Sequence, residues 1–280
     1  MCDRSVVNME AVIDYIESHL DGKLELETVA EAVHYSKYHL HRLFVETVGM
    51  TLHDYVQRRQ LTEAAKLLVF TDRSVIEIAF ICGYGSQQSF TSAFKSMYKS
   101  PPAEYRAKGS FYPLQLRFTL HPEMVTKEFT KQSIRMAENA DVSDWMKLMR
   151  LVIDGYPMMD EADYLAKLKV SISEKRALVL RDKENLIGTL AFTYAPGSIE
   201  FLGIHPQYRN RGLQKLFLDV LMERYLPGQE ISITTYRERD KADTGQRDML
   251  IQLGFAEKEP LTEFGYPTQR FVLPPEKRRM

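Results

Sequence analysis

The sequence predicts a two-domain protein, with an all-helical N-terminal domain followed by a mixed α/β domain. Its 280 residues are too many for one compact domain of the typical ~150 residues and suit about two. Up to Pro101-Pro102 the apolar residues recur at intervals of three and four, which is typical of short amphipathic helices. Beyond Ser133, short segments predicted to be β-strands are interleaved with predicted helices, and the order strand, turn, helix, strand implies a partly parallel sheet.

The composition excludes several classes of protein. With 44% apolar and 27% charged residues, the chain is neither disordered nor fibrous. It contains no apolar run near the ~20 residues that a bilayer span needs and no apolar signal segment, so we expect a cytoplasmic protein without membrane contact. Cys2 and Cys82 are too few for a disulfide framework or a Cys-type zinc site, and no metal site is predicted. The net charge of −1 gives no indication of nucleic-acid binding.

The helical part contains an internal repeat. Three positions recur 50 residues apart, as Ser36, Leu40 and Phe44 in the first copy and as Ser86, Phe90 and Phe94 in the second. A serine at the start of a helix is a good N-cap, and the spacing of four residues predicts a buried stripe along the helix that follows. The sequence therefore predicts two copies of one helical unit, at about 24–45 and 74–96.

If the apolar stripes point inward, one polar face of each repeated helix points outward. The outward residues correspond across the 50-residue offset: Tyr38, His41, Arg42 and Val45 in the first copy, and Gln88, Thr91, Ser92 and Lys95 in the second. Arginine and glutamine are the side chains that read guanine and adenine edges in the major groove. Held rigidly by the predicted helix 52–70, the two faces would enter successive major-groove turns, roughly 34 Å apart. Binding of double-stranded DNA is therefore predicted, with a merely solvated polar face as the alternative.

A series of short motifs runs through both copies. They are Ser36, Leu40 and Arg42-Leu43-Phe44 in the first, and Ala79, Gly83-Tyr84, Ser86-Gln87, Phe90, Phe94-Lys95, Ser100-Pro101 and Tyr105-Arg106 in the second. In these motifs the region 8–108 resembles the AraC/XylS family of transcription regulators, and most of all its multiple-antibiotic-resistance and right-origin-binding branch. The resemblance implies a double helix-turn-helix domain that binds an asymmetric operator as a monomer, with RNA polymerase as a further partner.

The resemblance places the DNA contacts on the last helix of each unit. They are Tyr38, His41 and Arg42 in the first, and Gln87, Gln88 and Thr91 in the second. The outward position of Ser92 and the positive charges of Lys37 and Lys95 add these three residues to the predicted DNA-binding set. The branch often has an arginine where Ser92 stands, so the base specificity of the second helix departs from that pattern. We also expect five basic residues to position the protein on phosphates: Lys37, Arg58, Arg59, Lys95 and Lys99.

The C-terminal part is predicted to alternate strands and helices. The expected order is a strand at 134–137, a helix at 142–154, a hairpin of 177–180 with 187–193, a strand at 199–204, a helix at about 212–225, a strand at 231–236 and a helix ending near 253–254. The preceding stretch, 109–132, is weakly patterned and is interpreted as a connector, although Leu114, Leu116, Phe118 and Leu120 alternate like a strand.

A glycine-containing loop, Arg209-Asn210-Arg211-Gly212-Leu213-Gln214, joins the strand at 199–204 to the following helix. Backbone N–H groups at such a helix start make an anion site. Together with the strand before it and with Leu253-Gly254-Phe255, this loop resembles the GNAT acetyltransferases over about 133–273. The predicted fold class is thus an all-α double helix-turn-helix domain of AraC type (8–108), a connector (109–132) and an α/β GNAT acyl-CoA N-acyltransferase fold with a mixed central sheet (133–275).

The GNAT resemblance implies acetyl-CoA as cofactor. The residues that would hold it are Leu202, Gly203, Ile204, Arg209, Asn210, Arg211, Gly212, Leu213, Gln214 and Lys215. Gln214 stands where the family pattern has glycine or alanine. A simple nucleotide or phosphate site is the alternative reading of the same loop.

The resemblance also implies N-acetylation of a small-molecule amine. Glu200 stands where some GNAT enzymes place a carboxylate base, and Tyr236 is a candidate acid, because Leu250 occupies the usual tyrosine position. Five residues would line the acceptor side: Trp145, Tyr156, Met158, Met159 and Tyr164. The alternative is a transcription factor whose GNAT-fold domain is a catalytically weak or inactive effector sensor.

Overall fold

The computed structural model describes residues 4–121, 128–152, 160–263 and 265–275. The first of these ranges makes one compact unit of helices, and the other three make a second unit that contains the sheet. No helix in these ranges is long and apolar enough to cross a membrane.

The described part of the first unit contains seven α-helices. They are α1 (Arg4–Glu17), α2 (Leu26–Ala32), α3 (Lys37–Val48), α4 (Leu52–Phe70), α5 (Val75–Ile81), α6 (Gln87–Tyr98) and α7 (Pro102–Lys108). Helices α2 and α3 form one pair, α5 and α6 form a second pair, and the 19-residue α4 joins them. Leu40 and Phe44 on α3 are buried, as are Phe90 and Phe94 on α6. Both copies of the predicted unit are present.

Hydroxyl side chains cap the starts of four helices. Ser36 at α3 and Ser86 at α6 each accept a hydrogen bond from the backbone N–H three residues on, at 3.3 and 3.2 Å. Thr51 at α4 and Ser74 at α5 do the same. These caps satisfy backbone donors that a helix start leaves without partners. The N-caps predicted at Ser36 and Ser86 are confirmed.

The two helix pairs approach each other through backbone at Gly22 and Gly83. A Cβ atom on Gly83 would lie 2.5 Å from the Gly22 carbonyl oxygen, and Gly83 has a φ of +78°, so only glycine fits there. The side-chain amide of Gln60, on α4, donates to the same carbonyl at 2.8 Å. The loop before α2 and the loop before α6 are therefore both fixed against α4.

A buried ion pair holds α1 against the middle of α4. Arg59 donates to both carboxylate oxygens of Glu17, at 2.8 and 2.7 Å, and the Tyr55 hydroxyl donates to the same carboxylate at 2.7 Å. A further guanidinium N–H reaches the Gln115 carbonyl oxygen at 3.0 Å. One side chain thus joins α1, α4 and the segment that follows α7.

This geometry corrects the expectation that Arg58 and Arg59 contact phosphates. Both are buried, Arg58 at 1% and Arg59 at 7% exposure. Arginine is seldom buried unless it is paired, and the partner of Arg59 lies 42 positions away in the sequence, where a local pattern does not indicate it.

Residues 110–121 pack on the first unit without forming a strand. Leu114, Phe118 and Leu120 are buried, but the backbone N–H groups of Leu114 and Gln115 both donate to the Thr62 hydroxyl, at 3.1 Å each. The strand suggested by the alternation of apolar residues is therefore wrong within 110–121. Side chains on α4, rather than a neighbouring strand, form hydrogen bonds with the backbone of this segment.

A seven-stranded sheet forms the centre of the second unit within its described ranges. Its elements are β1 (Ile134–Met136), α8 (Val142–Val152), α9 (Glu161–Ser173), β2 (Ala177–Asp182), β3 (Asn185–Thr193), β4 (Ser198–Ile204), α10 (Leu213–Val220), β5 (Ile231–Tyr236), α11 (Gln246–Gln252), β6 (Ala256–Glu263) and β7 (Tyr266–Leu273). The strand order is β1-β2-β3-β4-β5-β7-β6. Only β4 and β5 pair in parallel among these strands, and α10 makes the crossover between them. A mixed sheet was predicted, and it is present.

Helices pack on both faces of this sheet. On one face α10 lies so close to β3 that a Cβ atom on Gly188 would be 2.6 Å from the Phe217 ring. On the other face Trp145 of α8 and Tyr164 of α9 lie beside Phe201 of β4, with ring centroids 6.3 and 6.1 Å apart.

Substituting Glu17→Gln is expected to lower the free energy of unfolding of the first unit by roughly 1.5–3 kcal/mol, because Arg59 would lose its buried counter-ion and keep only the more exposed Glu63. The matched control is Asp14→Asn on the same helix, since Asp14 pairs with Arg117 on the surface and should contribute at most about 1 kcal/mol. Urea denaturation followed by circular dichroism measures both. Equal losses for the two variants would contradict the role assigned to the buried pair.

Candidate functional site

Helix α3 presents a polar face beside its buried stripe. Lys37, His41 and Arg42 are exposed, and Tyr38 is 85% exposed. The Lys37 ammonium contacts the Glu27 carboxylate of α2, and this contact raises the pKa of Lys37. An Arg42 guanidinium nitrogen lies 3.5 Å from a His39 ring nitrogen, one turn back along the helix. The structure thus brings the residues predicted to read DNA to one surface of α3.

Helix α6 presents the corresponding face of the second copy. Gln87, Gln88, Ser92 and Lys95 are exposed, and Thr91 is half-buried. Under this face lies an aromatic cluster in which Phe94 stacks on Tyr98 at 4.4 Å, with Tyr105 edge-on at 5.3 Å. Because the cluster fixes α6 against α7, the exposed side chains project from a rigid support.

The phosphate-contacting set is smaller than predicted. Of its five members, Lys37 and Lys95 are exposed, Lys99 is half-buried, and Arg58 and Arg59 belong to the core of the unit. Both arginines lie on α4, among residues that would equally suit a helix exposed to solvent. The local sequence therefore does not distinguish them from surface residues.

Comparison with known proteins agrees with this arrangement. A family model described as "Helix-turn-helix domain" matches residues 29–108. The uncharacterized HTH-type transcriptional regulator YbfP of Bacillus subtilis is 40% identical over 98 residues, which are 35% of this chain and 33% of YbfP. The probable transcription factor PqrA of Proteus vulgaris is 38% identical over 101 residues, which are 35% of this chain and 83% of PqrA. The chain belongs to the AraC family of DNA-binding transcriptional regulators.

The residues that the family model matches lie in the helical part. The regulator spans about a third of the length of YbfP. For the sheet-containing unit, one similar solved structure is a GNAT-family acetyltransferase from Bacillus cereus, with 16% identity and a TM-score of 0.40, covering 50% of this chain and 95% of that one.

In the second unit, β4 and β5 diverge from a single point of contact. Within the described residues their parallel register consists of one pair, Ser198 with Ser232, near the start of both strands. The rest of β4, including Leu202, Gly203 and Ile204, is paired with β3 on its other edge. The carboxyl-terminal half of β4 is therefore not paired with β5 within the described residues, and we call this gap between the two strands the cleft.

The loop predicted to bind phosphate follows this cleft directly. Residues Pro206–Arg211 form a 3-10 turn that contains Arg209, Asn210 and Arg211, and Gly212, with a φ of +67°, starts α10. A Cβ atom on Gly212 would have no neighbour within 4 Å. The loop thus leaves open space at the start of α10, where backbone N–H groups point outward.

The side chains of this loop have different surroundings. The Arg211 guanidinium lies over the Tyr208 ring at 5.4 Å, and the Tyr208 hydroxyl donates to Asp182 at 2.9 Å. Lys215 pairs with Asp219 at 2.9 Å, one turn along α10. Leu213 is buried and offers only its backbone to a ligand, while Gln214 is half-buried.

Glu200 lies at a β-bulge in β4. Its neighbours Ile199 and Phe201 face Phe192 and Ala191 of β3, so Glu200 is the extra residue in the ladder. The Glu200 carboxylate accepts a hydrogen bond from Arg176 at 3.3 Å. Bulges often re-aim a side chain next to a functional site, and this one lies on the strand that borders the cleft.

Tyr236 ends β5, the strand on the other side of the cleft, and its ring packs edge-on against Tyr266 at 5.9 Å. Leu250 on α11 is 1% exposed. On the acceptor side, the Trp145 indole N–H donates to the Tyr164 hydroxyl at 3.0 Å, whereas Tyr156, Met158 and Met159 lie outside the described residues.

Sequence reasoning missed Arg176. This residue precedes β2 and pairs with Glu174 at 2.7 Å as well as with Glu200. Arg176 belongs to none of the sequence motifs. Its position opposite Glu200 depends on the pairing of β3 with β4, which the local sequence does not show.

Substituting Arg42→Ala is expected to weaken binding to a DNA site selected in vitro with the full chain by about 1–3 kcal/mol, because a guanidinium predicted to pair with a base edge would be lost. Fluorescence anisotropy of labelled duplexes measures the change. Lys66→Ala is the control, since Lys66 is an exposed cation on α4 and belongs neither to the polar face of α3 nor to that of α6. An unchanged affinity of the Arg42 variant would exclude α3 as the base-reading helix.

Proposed function

We propose that this AraC-family regulator recognises its operator through α3 and α6, and that its second unit is a GNAT-fold domain that binds acetyl-CoA and N-acetylates an amine. The first part is supported by the two equivalent polar faces on helices capped and packed in the same way. The second part is carried by one observation, the cleft between β4 and β5 beside the open start of α10.

On DNA, some residues of the two faces would contact base edges and others would contact phosphates. Arg42 suits guanine, while Gln87 and Gln88 suit adenine. Lys37 and Lys95 are exposed on α3 and α6, and their ammonium groups would contact phosphates. A regulator bound in this way would then contact RNA polymerase as its partner in transcription.

The cleft suits a ligand with an extended amide chain and a diphosphate. The β4 edge that faces away from β3 offers backbone N–H and C=O groups at alternate residues, Leu202 and Ile204, because those of Gly203 point toward β3. At its end, the helix start at Gly212 offers N–H groups to an anion, with Arg209 and Arg211 adding positive charge. These residues fit acetyl-CoA, which supplies an acyl group already activated as a thioester.

Two side chains are assigned to proton transfer. Glu200, aimed by its bulge, would take a proton from the ammonium group of the acceptor so that its nitrogen can attack the acyl carbon. The Tyr236 hydroxyl would give a proton to the sulfur that leaves as the carbon–sulfur bond breaks. Trp145 and Tyr164, which lie beside Phe201, would shape the acceptor side.

An effector sensor without turnover is the second candidate function, and two observations favour it. Arg176 donates a hydrogen bond to the Glu200 carboxylate, the group that would have to accept the proton. Leu250 brings no hydroxyl to the cleft. In this case the same cleft would report acetyl-CoA or a related ligand to the DNA-binding unit.

Substituting Gly212→Glu is expected to abolish binding of acetyl-CoA and of CoA measured by isothermal titration calorimetry, because a carboxylate would occupy the anion site. Gly228→Glu is a matched control: Gly228 has a φ of +72°, is exposed, has no neighbour near its Cβ position, and precedes β5 at the opposite end of the cleft. If the wild-type chain binds neither compound, or if both variants bind equally well, the proposed cofactor site is wrong.

Substituting Glu200→Gln is expected to lower kcat for an amine found by screening by at least about 100-fold while the Kd for acetyl-CoA stays unchanged. Glu174→Gln is the control, since it removes the other carboxylate that pairs with Arg176. Release of free thiol measures turnover. A wild-type chain that binds acetyl-CoA but acetylates no amine would support the sensor instead.

A further inference from the structure

The segment 110–121 packs along one face of α4 and lies beyond residue 108, where the match to the helix-turn-helix family model ends. Three residues of α4 face it: Tyr55, Arg59 and Thr62, which follow at intervals of four and three residues and so share one helix face. All three form hydrogen bonds with backbone groups of the segment, at distances of 3.0 to 3.4 Å. The segment therefore belongs to the DNA-binding unit, although the family model does not include it.

One end of the segment contacts the second helix pair. The Tyr112 carbonyl oxygen accepts a hydrogen bond from the Tyr98 hydroxyl of α6 at 3.3 Å and another from the Tyr105 hydroxyl of α7 at 3.4 Å. The Tyr112 ring also packs edge-on against the Tyr98 ring, with centroids 5.1 Å apart. Because Tyr98 and Phe94 lie on the buried side of α6, this end of the segment is fixed to the helix that carries the second polar face.

The other end of the segment contacts the first helix pair. Phe118 is 1% exposed, and its ring centroid lies 5.3 Å from that of Tyr55. The Tyr55 ring in turn lies 5.8 Å from the Phe44 ring, on the buried side of α3. Next to Phe118, Arg117 pairs with Asp14 of α1. The segment thus reaches α3 through a single aromatic ring.

The two helix pairs therefore have a connection through the segment in addition to α4. A helix of 19 residues is about 28 Å long, so a small change in its curvature moves one end relative to the other. Bending α4 would disturb the contacts of Tyr112 with α6 or those of Phe118 with Tyr55, because the backbone between them is bonded to α4. The segment opposes such bending.

We propose that the segment 110–121 fixes the spacing and orientation of α3 relative to α6, and thereby makes the regulator selective for the number of base pairs between its two half-sites. The half-sites are the base pairs that α3 contacts and those that α6 contacts, so this inference rests on the proposed reading of the operator by both helices. One added base pair moves a major-groove contact by about 3.4 Å along the duplex and about 35° around it. Two helices held at one spacing do not follow that displacement, and one of them loses its contacts.

The test compares the affinity of the full chain for two duplexes by fluorescence anisotropy. One is a duplex selected in vitro, and the other carries one additional base pair midway between the half-sites that footprinting of the wild-type chain locates. The wild-type chain is expected to bind the longer duplex at least about tenfold more weakly, because base contacts of one helix are lost.

Two variants loosen the segment. Phe118→Leu removes the ring that packs on Tyr55, and Thr62→Val removes the acceptor of two backbone N–H groups. In both, the selected duplex should bind more weakly, since α3 and α6 must be ordered on the DNA, and the loss caused by the added base pair should be several-fold smaller than in the wild-type chain.

Two control variants leave these contacts in place. Phe80→Leu changes an exposed phenylalanine on α5, and Thr119→Ala changes an exposed residue of the segment itself. Both should keep the wild-type ratio of affinities. Circular dichroism verifies that each chain is folded at the assay temperature. Arg117→Ala loosens the same end of the segment without opening the core, and it replaces any variant that does not fold.

A weaker affinity for both duplexes by the same factor in the segment variants would overturn the proposal, because it would reflect lost stability alone. A wild-type chain that binds both duplexes equally well would also overturn it. In that case Gln88→Ala distinguishes the two levels of the argument. If it weakens binding, only the role of the segment is wrong, and if it has no effect, the proposed reading by both helices is wrong as well.

Discussion

The buried contact between Arg59 and Glu17 is the constraint on which the DNA-binding unit depends. Arg59 lies in the middle of α4, the helix that joins the pair α2 and α3 to the pair α5 and α6. Its guanidinium joins α4 to α1 through Glu17 and to the segment 110–121 through Gln115. Removing two charges from water is costly, and hydrogen bonds from Tyr55 and Arg59 to the same carboxylate offset that cost. Because these groups satisfy one another only in one arrangement, α4 provides a fixed base for α3 and α6.

Much of the helical unit could be predicted from sequence because its rules are local. A serine cap and a stripe at i, i+4 and i+8 lie within one helix, so Ser86, Phe90 and Phe94 indicate α6 by themselves. The errors concern long-range partners. The local sequence indicates a surface cation at Arg59, because it does not show that Glu17 lies opposite. It likewise indicates a strand at 114–120, because it does not show that the Thr62 hydroxyl accepts hydrogen bonds from the backbone there.

In the sheet-containing unit, too, local features could be predicted from the sequence and long-range contacts could not. Short apolar segments predicted β3, β4 and β5, and the loop around Gly212 predicted the start of α10. The cleft could not be predicted, since it depends on β4 and β5 pairing at Ser198 and Ser232 and then separating. Likewise, the register of β3 against β4 places Glu200 on a bulge beside Arg176, and a single sequence does not specify that register.

The charge of the first unit shows why composition gave no indication of DNA binding. Residues 1–108 hold 12 Lys and Arg against 14 Asp and Glu, a balance of −2, yet seven of these acids fall between residues 10 and 31. Several acids in that stretch are already paired, Asp14 with Arg117, Glu17 with Arg59 and Glu27 with Lys37. Helix α6 contains no acidic residue. Since an electrostatic field decays within a Debye length of about 10 Å, the local charge of a reading face matters more to a phosphate than the net charge of the domain.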